Sequence, residues 1–371
     1  MRHLLACTAI APALVALTLA NATAATTIGT STTTPVKTST VANGSADDIV
    51  ISSAGSITLT SGTGVTLDSN HDVSNAGTIT INDANDVTAI LAAPGTTGDI
   101  TNSGTITLTE NYTATDTDSD GDIDGPFAKG SGKTGIRVQP GAPHVGNIGH
   151  SGTITIEGNQ SAGLRLDGAL TGNLSTSGIT NITGDNSYGL VANAVTGNVT
   201  LRGSTSVQGA NSIGAALLGD INGALKIQGN IASTGYRSTT RPTDVTKLDA
   251  DDLLQGGSAV VIAGNVSGGV IFDVPPTPSS TDTDVDDDGL PDASEGSASI
   301  VTYGSAAAVQ VGASSADTVI GAVAADSSGY GLIVKGQIGG FGVYDGVAAN
   351  GLSIVGLGGN VTIANGSGID G

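Results

Sequence analysis

The side chains best suited to chemistry lie in two acidic stretches. In the later one, Asp284, Asp286 and Asp288 alternate ahead of Gly289, and Leu290, Asp292 and Glu295 follow. Numbered from Asp284, these residues occupy positions 1, 3, 5, 6, 7, 9 and 12 of a twelve-residue stretch. Calcium needs six to eight oxygens, a sharp glycine turn at position 6, a backbone carbonyl at 7 and a bidentate carboxylate at 12. This stretch offers all of them. In the earlier one Asp116, Asp118, Asp120, Gly121, Asp122 and Asp124 take positions 1, 3, 5, 6, 7 and 9, but Phe127 stands at position 12. Structural Ca2+ is the expectation at both loops, with the later loop more complete and with weak affinity, roughly 0.1–1 mM. The competing reading is a solvated acidic linker.

The Asp-x-Asp-x-Asp-Gly core resembles the EF-type calcium loop and the acidic repeats of thrombospondin type-3 and dockerin-like sequences. No helical pattern flanks either stretch, so the resemblance covers the loops alone. The elements that carry the loops must be sought elsewhere, and they are strands. A repeat runs through the chain: Asn75–Ile81, Asn102–Leu108 and His150–Ile156 share the pattern small-Gly-Thr-Ile-Thr-apolar, and 176–182 and 201–207 follow it more loosely. The turn glycines Gly77, Gly104, Gly152, Gly178, Gly203 and Gly229 are spaced 27, 48, 26, 25 and 26 residues apart. The one long interval contains the first acidic stretch.

Three short strands fit into each repeat, for example Thr153–Glu157, Gly163–Asp167 and Gly172–Thr176, then Ile179–Thr183, Tyr188–Ala192 and Asn198–Arg202. Side chains alternate along a strand, so Ile154 and Ile156 face inward and Thr153 and Thr155 outward. One coil cannot bury its inward row, whereas stacked coils bury it and pair the backbone groups. A second signature marks one corner: Gln160-Ser-Ala-Gly, Asn186-Ser-Tyr-Gly, Asn211-Ser-Ile-Gly and Ser328-Gly-Tyr-Gly. The expected fold is therefore all-β, a right-handed parallel β-helix of about 25–27 residues per coil, its hand following the usual twist and crossover preference. Insertions interrupt it at 109–131, 236–256 and 275–296. The flanking strands put the first two at one corner and the third at another.

The chain opens with a basic Met1-Arg2-His3, an apolar run to Leu19 and Ala22-Thr23-Ala24. This is the pattern of a secretory signal peptide over 1–24. A Thr/Ser-rich low-complexity segment at 25–44 precedes the β-helix, which is expected over 45–371. Cys7 is the single cysteine and falls inside the signal, so the mature chain relies on no disulfide.

A net charge of −21, with only 12 Lys and Arg, excludes a nucleic-acid partner. Catalysis finds little support, and no catalytic residue is assigned. His71, His144 and His150 are scattered without an evident acidic partner, and His150 takes a surface turn position held elsewhere by Asn or Thr. Arg137 and Arg165 read as outward, solvated charges. Three Phe, six Tyr and no Trp leave few rings for stacking sugars. The alternative is a β-helical polysaccharide lyase or hydrolase, which would need acids and an Arg converging on one face.

The signal sequence, the cysteine-free Thr/Gly/Asn-rich coils and the Ser-Gly-Thr-Ile-Thr-Ile strands resemble the passenger regions of bacterial type V autotransporters over roughly 45–371. The resemblance implies display at the surface of a Gram-negative cell through an outer-membrane β-barrel in cis or in trans. It also implies a role in adhesion, aggregation or surface structure, with a host or neighbouring-cell surface ligand as partner. The sequence departs from that pattern in lacking a barrel after Gly371, where the repeat still runs; a fragment of a longer protein is the expectation.

Overall fold

The computed structural model describes residues 25–119, 123–279, 281–286 and 290–370. The proposed signal peptide, with Cys7, lies outside the described residues. Strands recur in threes along the chain and assemble into three parallel sheets of 11, 10 and 10 strands. Each strand pairs with its counterpart one coil away, in register, which makes the molecule a parallel β-helix. Thr105–Leu108 pairs with Thr153–Glu157, so Ile106 stacks on Ile154 and Leu108 on Ile156. Both inward columns are fully buried.

Burial of these columns drives the stacking, and the turn glycines allow it. A Cβ on Gly104 would lie 2.1 Å from the carbonyl oxygen of Gly77; on Gly152, 1.9 Å from that of Gly104; on Gly178, 2.1 Å from that of Gly152. Successive coils approach so closely at this corner that only glycine fits. The second signature also has a physical origin. Gln160, Asn186 and Asn211 adopt φ of 51°, 54° and 56°, the left-handed region that Asn tolerates best after Gly. The serine that follows each is fully buried. Ser187 Oγ accepts from the Ser161 amide at 3.0 Å and Ser212 Oγ from the Ser187 amide at 2.9 Å, a ladder passed from coil to coil. Ser328-Gly-Tyr-Gly does not belong to it: that segment leads into Leu332–Val334 in the first sheet, a different corner.

Two further boundaries differ from the sequence reading. Segment 25–44 is part of the solenoid: Thr26–Ile28, Ser31–Thr32 and Val36–Lys37 pair with the strands at 49, 56 and 65 and form the first coil. The section of the coil is also not a plain triangle. A fourth, short ladder runs between the third and first sheets through His144, Leu170, Val195, Ile221, Val266 and Ile320, giving that corner its own buried row.

The insertions sit where the flanking strands placed them. The first leaves the second sheet after Leu108 and rejoins the third at Thr134; the second does the same between Thr234 and Val260. The third connects Phe272 of the first sheet to Ser299 of the second. Corner loops leave the inter-strand ladders intact, so they grow without breaking the stack.

Candidate functional site

The two acidic loops share one local geometry. In each, the aspartate at position 9 is nearly buried, Asp124 at 8 % exposure and Asp292 at 2 %. Each folds back on the residue at position 2: Thr117 donates its amide and, at 2.7 Å, its hydroxyl to Asp124 Oδ2, and Val285 donates its amide to Asp292 Oδ1 at 3.2 Å. This closure gathers positions 1, 3 and 9. Carboxylate oxygens of Asp116, Asp118 and Asp124 lie within 4.8 Å of one another, and so do those of Asp284, Asp286 and Asp292. Such spacing suits oxygens sharing one cation with bonds of about 2.3–2.6 Å. The Thr117 hydroxyl and amide hold the Asp124 carboxyl below its ordinary range, so it is charged at neutral pH. Asp120, Asp122 and Asp288, with Gly121 and Gly289, lie outside the described residues.

Position 12 behaves differently from the sequence expectation in both loops. Glu295 does not join Asp284, Asp286 and Asp292. Its fully buried side chain reaches Arg202 on the rod, Nη2 to Oε1 at 3.5 Å. Phe127, its counterpart, lies beneath the Arg237 guanidinium at 4.9 Å from the ring centroid. Each loop thus ends on a distant arginine, Arg202 of the rod or Arg237 of the second insertion. Leu290, expected to give a carbonyl at position 7, borders a cleft with Arg202, Gln228 and Glu295.

The first loop also meets the second insertion. Asp251 Oδ2 accepts from the Gly125 amide at 2.7 Å and from Arg237 Nη2 at 3.0 Å, and Arg237 also donates to the Gly125 carbonyl. Oxygens of Asp124, Asp249 and Asp251 form a third acidic group within 4.8 Å. Burial pushes the Asp251 carboxyl up, while hydrogen bonding from Asp251 draws Asp249 down. Nothing in the sequence pairs these insertions, whose exit points are separated by four coil steps, roughly 19 Å along the stack.

No family model, curated protein or solved structure matches this chain. Function must therefore be argued from the chain's own geometry.

A second charged region lies on the outer face of the first sheet, beneath the third insertion. Lys226 Nζ reaches Asp286 at 2.9 Å and Asp273 at 3.7 Å; Lys335 Nζ reaches Asp326 at 3.1 Å and Asp273 at 3.4 Å. With Arg202 they border a groove of about 790 Å³. This is the convergence of acids and cations that an enzyme reading requires. The groups are matched to one another, however. Hydrogen bonds from Ser328, then Lys335, hold Asp326 at about 2. Burial alone would lower Lys335, but Asp326 and Asp273 outweigh it and raise it. Neither group is poised to exchange a proton near neutrality.

The histidines correct the sequence reading. His150 is not on the surface: it is 2 % exposed and points into the rod. It completes an inward ladder in which Asn75 Nδ2 donates to Asn102 Oδ1 at 2.7 Å and Asn102 Nδ2 donates to His150 Nδ1 at 3.0 Å. Its Nε2 lies 3.3 Å from the Ile179 carbonyl, which fixes the neutral tautomer with hydrogen on Nε2. His144 is fully buried beside Thr96. His71 does have an acidic partner, Asp48, at 3.0 Å. Arg137 and Arg165 face outward as expected but converge on Asp167, at 2.7 and 3.9 Å.

Proposed function

We propose that the chain is an exported, surface-displayed β-helical scaffold of the autotransporter passenger type. It acts in adhesion, aggregation or surface structure, and Ca2+ orders its acidic loops. The observation that carries this reading is the division of labour within the molecule. Three parallel sheets run through the stack, while the long departures from the repeat occur at corners, where most of their described residues are exposed or half-buried. Such a rod holds loops at fixed heights above a surface. An outer-membrane barrel, in cis or in trans, is the expected partner on the cell side, and a ligand on a host or neighbouring cell is expected on the other. For calcium the support is the spacing of positions 1, 3, 5, 6 and 9 together with the convergence of 1, 3 and 9. Bound Ca2+ would neutralise three mutually repelling carboxylates and fix the loop tips.

The test is aggregation of cells displaying the chain, with and without chelator and with residues 275–296 deleted. The reading predicts clumping that the rod alone does not support and that chelator weakens. Unchanged behaviour of all three samples removes the calcium part, and absence of clumping removes the adhesive part. Calorimetric titration with Ca2+ checks binding directly.

The charged groove on the first sheet favours a second reading, a β-helical polysaccharide lyase or hydrolase. Arg202, Lys226 and Lys335 would bind the acidic chain, and Asp273, which lines the groove between the two lysines, would be the reacting carboxylate. Release of unsaturated or reducing ends from acidic polysaccharides, lost in Lys335→Met, would establish it.

A further inference from the structure

The second insertion carried no motif, yet its folding creates a cavity. Ile123 and Phe127 of the first insertion, Arg237, Leu248 and Asp252 of the second, and Tyr344 beyond the second sheet enclose about 460 Å³, within the usual range of ligand pockets. The lobe is ordered by specific contacts. Tyr236 and Tyr344 meet edge to face at 4.7 Å. Tyr236 donates its hydroxyl to the Gly342 carbonyl and Tyr344 donates to that of Ser238, both at 3.0 Å. In a chain with only nine aromatic residues, three Phe and six Tyr, three of them, Phe127, Tyr236 and Tyr344, gather at this one lobe.

Polar groups with spare capacity face the same space. Among the described residues, Arg237 uses Nε and Nη2 on Asp251 and the Gly125 carbonyl, leaving Nη1 as a donor. Asp252, 5 % exposed, accepts from the described residues the Asp249 amide alone, at Oδ2, leaving Oδ1 as an acceptor. We propose that this cavity is a binding site for a neutral saccharide. The sugar stacks its C–H face on the Phe127 and Tyr344 walls, accepts from Arg237 and donates a hydroxyl to Asp252.

Three other ligand classes fit less well. Among the described residues the charges that line the cavity balance, Asp244 and Asp252 against Arg237 and Lys247, so neither an acidic nor a cationic ligand is favoured. A purely apolar ligand would leave the Arg237 donor and the Asp252 acceptor desolvated without partners. A sugar supplies both donors and acceptors around an apolar face. The inference rests on the display reading only for its purpose, because binding is measured on the purified chain.

The experiment is saturation-transfer NMR on the full chain. The probes are the methyl glycosides of glucose, galactose, mannose, fucose and N-acetylglucosamine, each with and without EDTA. At least one should bind saturably without EDTA; a loss on adding EDTA would report on the calcium reading, because Ile123 and Phe127 of the first acidic loop wall the cavity. Phe127→Leu and Asp252→Asn should each weaken binding on the order of tenfold, while Arg165→Ala on the third sheet should not. Asp252→Asn is isosteric and keeps an acceptor for the Asp249 amide, so it separates loss of binding from loss of folding. No saturable binding by any of the five sugars overturns the proposal, as does unchanged binding by Asp252→Asn.

Discussion

The first and third insertions share Asp at positions 1, 3, 5 and 9 and Gly at position 6 of their twelve-residue stretches and end in different mechanical situations. Both close position 9 onto position 2, and both send position 12 to a distant arginine. The first loop then finds its arginine, Arg237, in another insertion, and the two become a lobe standing off the rod. The third loop finds Arg202 and Lys226 on the rod itself and lies down over the first sheet. A local acidic motif therefore sets a loop's internal fold, while the residue at position 12 and the nearest cation set where the loop docks.

The largest expected effect is the loss of either arginine. Arg202→Ala strips a fully buried Glu295 carboxylate of its cation and should destabilise the third loop by about 3 kcal/mol. Hydrogen exchange should show faster amides over 290–296 and an unchanged rod. Arg237→Ala removes the ring stack and two bonds to Asp251, and should cost about 2 kcal/mol, with faster exchange in both 123–131 and 236–256. If Arg237→Ala affected only one insertion, the lobe would not be a unit.

Acid should separate rod from loops. Burial holds His144 and His150 below the ordinary 6.5, so the unfolded chain takes up protons first. Their contribution to stability is complete above pH 6.5 and is lost as the pH falls below it. Asp124 has the opposite dependence on charge. It is held charged by Thr117, so its stabilisation fades only as the pH drops through and below 3.8. Thermal melts between these limits should show the rod weakening while the first loop keeps its structure, and His150→Asn should flatten the rod's slope by restoring the asparagine ladder.

A smaller effect concerns calcium. Asp124→Ala and Asp292→Ala should each remove the titration heat of one loop and spare the other. Loss of both heats in a single variant would mean that the loops are coupled through the rod. The smallest effect is at Arg241 and Asp345, which pair at 2.6 Å but are 41 % and 84 % exposed. Solvent screens such a pair, and Asp345→Ala should leave the melting temperature unchanged.

The repetitive part of this fold was legible because stacking imposes the same demand at every step. Thr153–Glu157, Ile179–Thr183 and Tyr188–Ala192 fall on the strands their alternation predicts, and the glycine column records a backbone approach that excludes Cβ. Inward polar ladders were less legible. Asn75, Asn102 and His150 look like turn residues because asparagine favours turns, yet stacking lets each amide satisfy the next inside the core. The surface carries another ladder that no motif announces. Asp48, Asp72, Asp99, Asn147, Asn173 and Asn198 each accept the backbone amide of the residue one coil on, at 2.7–3.0 Å. The docking of position 12 could not be read at all, because Glu295 and Arg202 are 93 residues apart and no periodicity relates them.

The bridge between the first two insertions has a consequence for the rod under load. A stack of coils resists tension rank by rank, and the weakest rank can peel while its neighbours hold. The Gly125–Asp251–Arg237 clasp joins ranks four steps apart by a route outside the stack, as a brace joins separate floors of a scaffold. Force entering this section must part the clasp before the intervening coils can open singly. The middle of the molecule should therefore yield as one block, at higher force than the unbraced coils near the first strand.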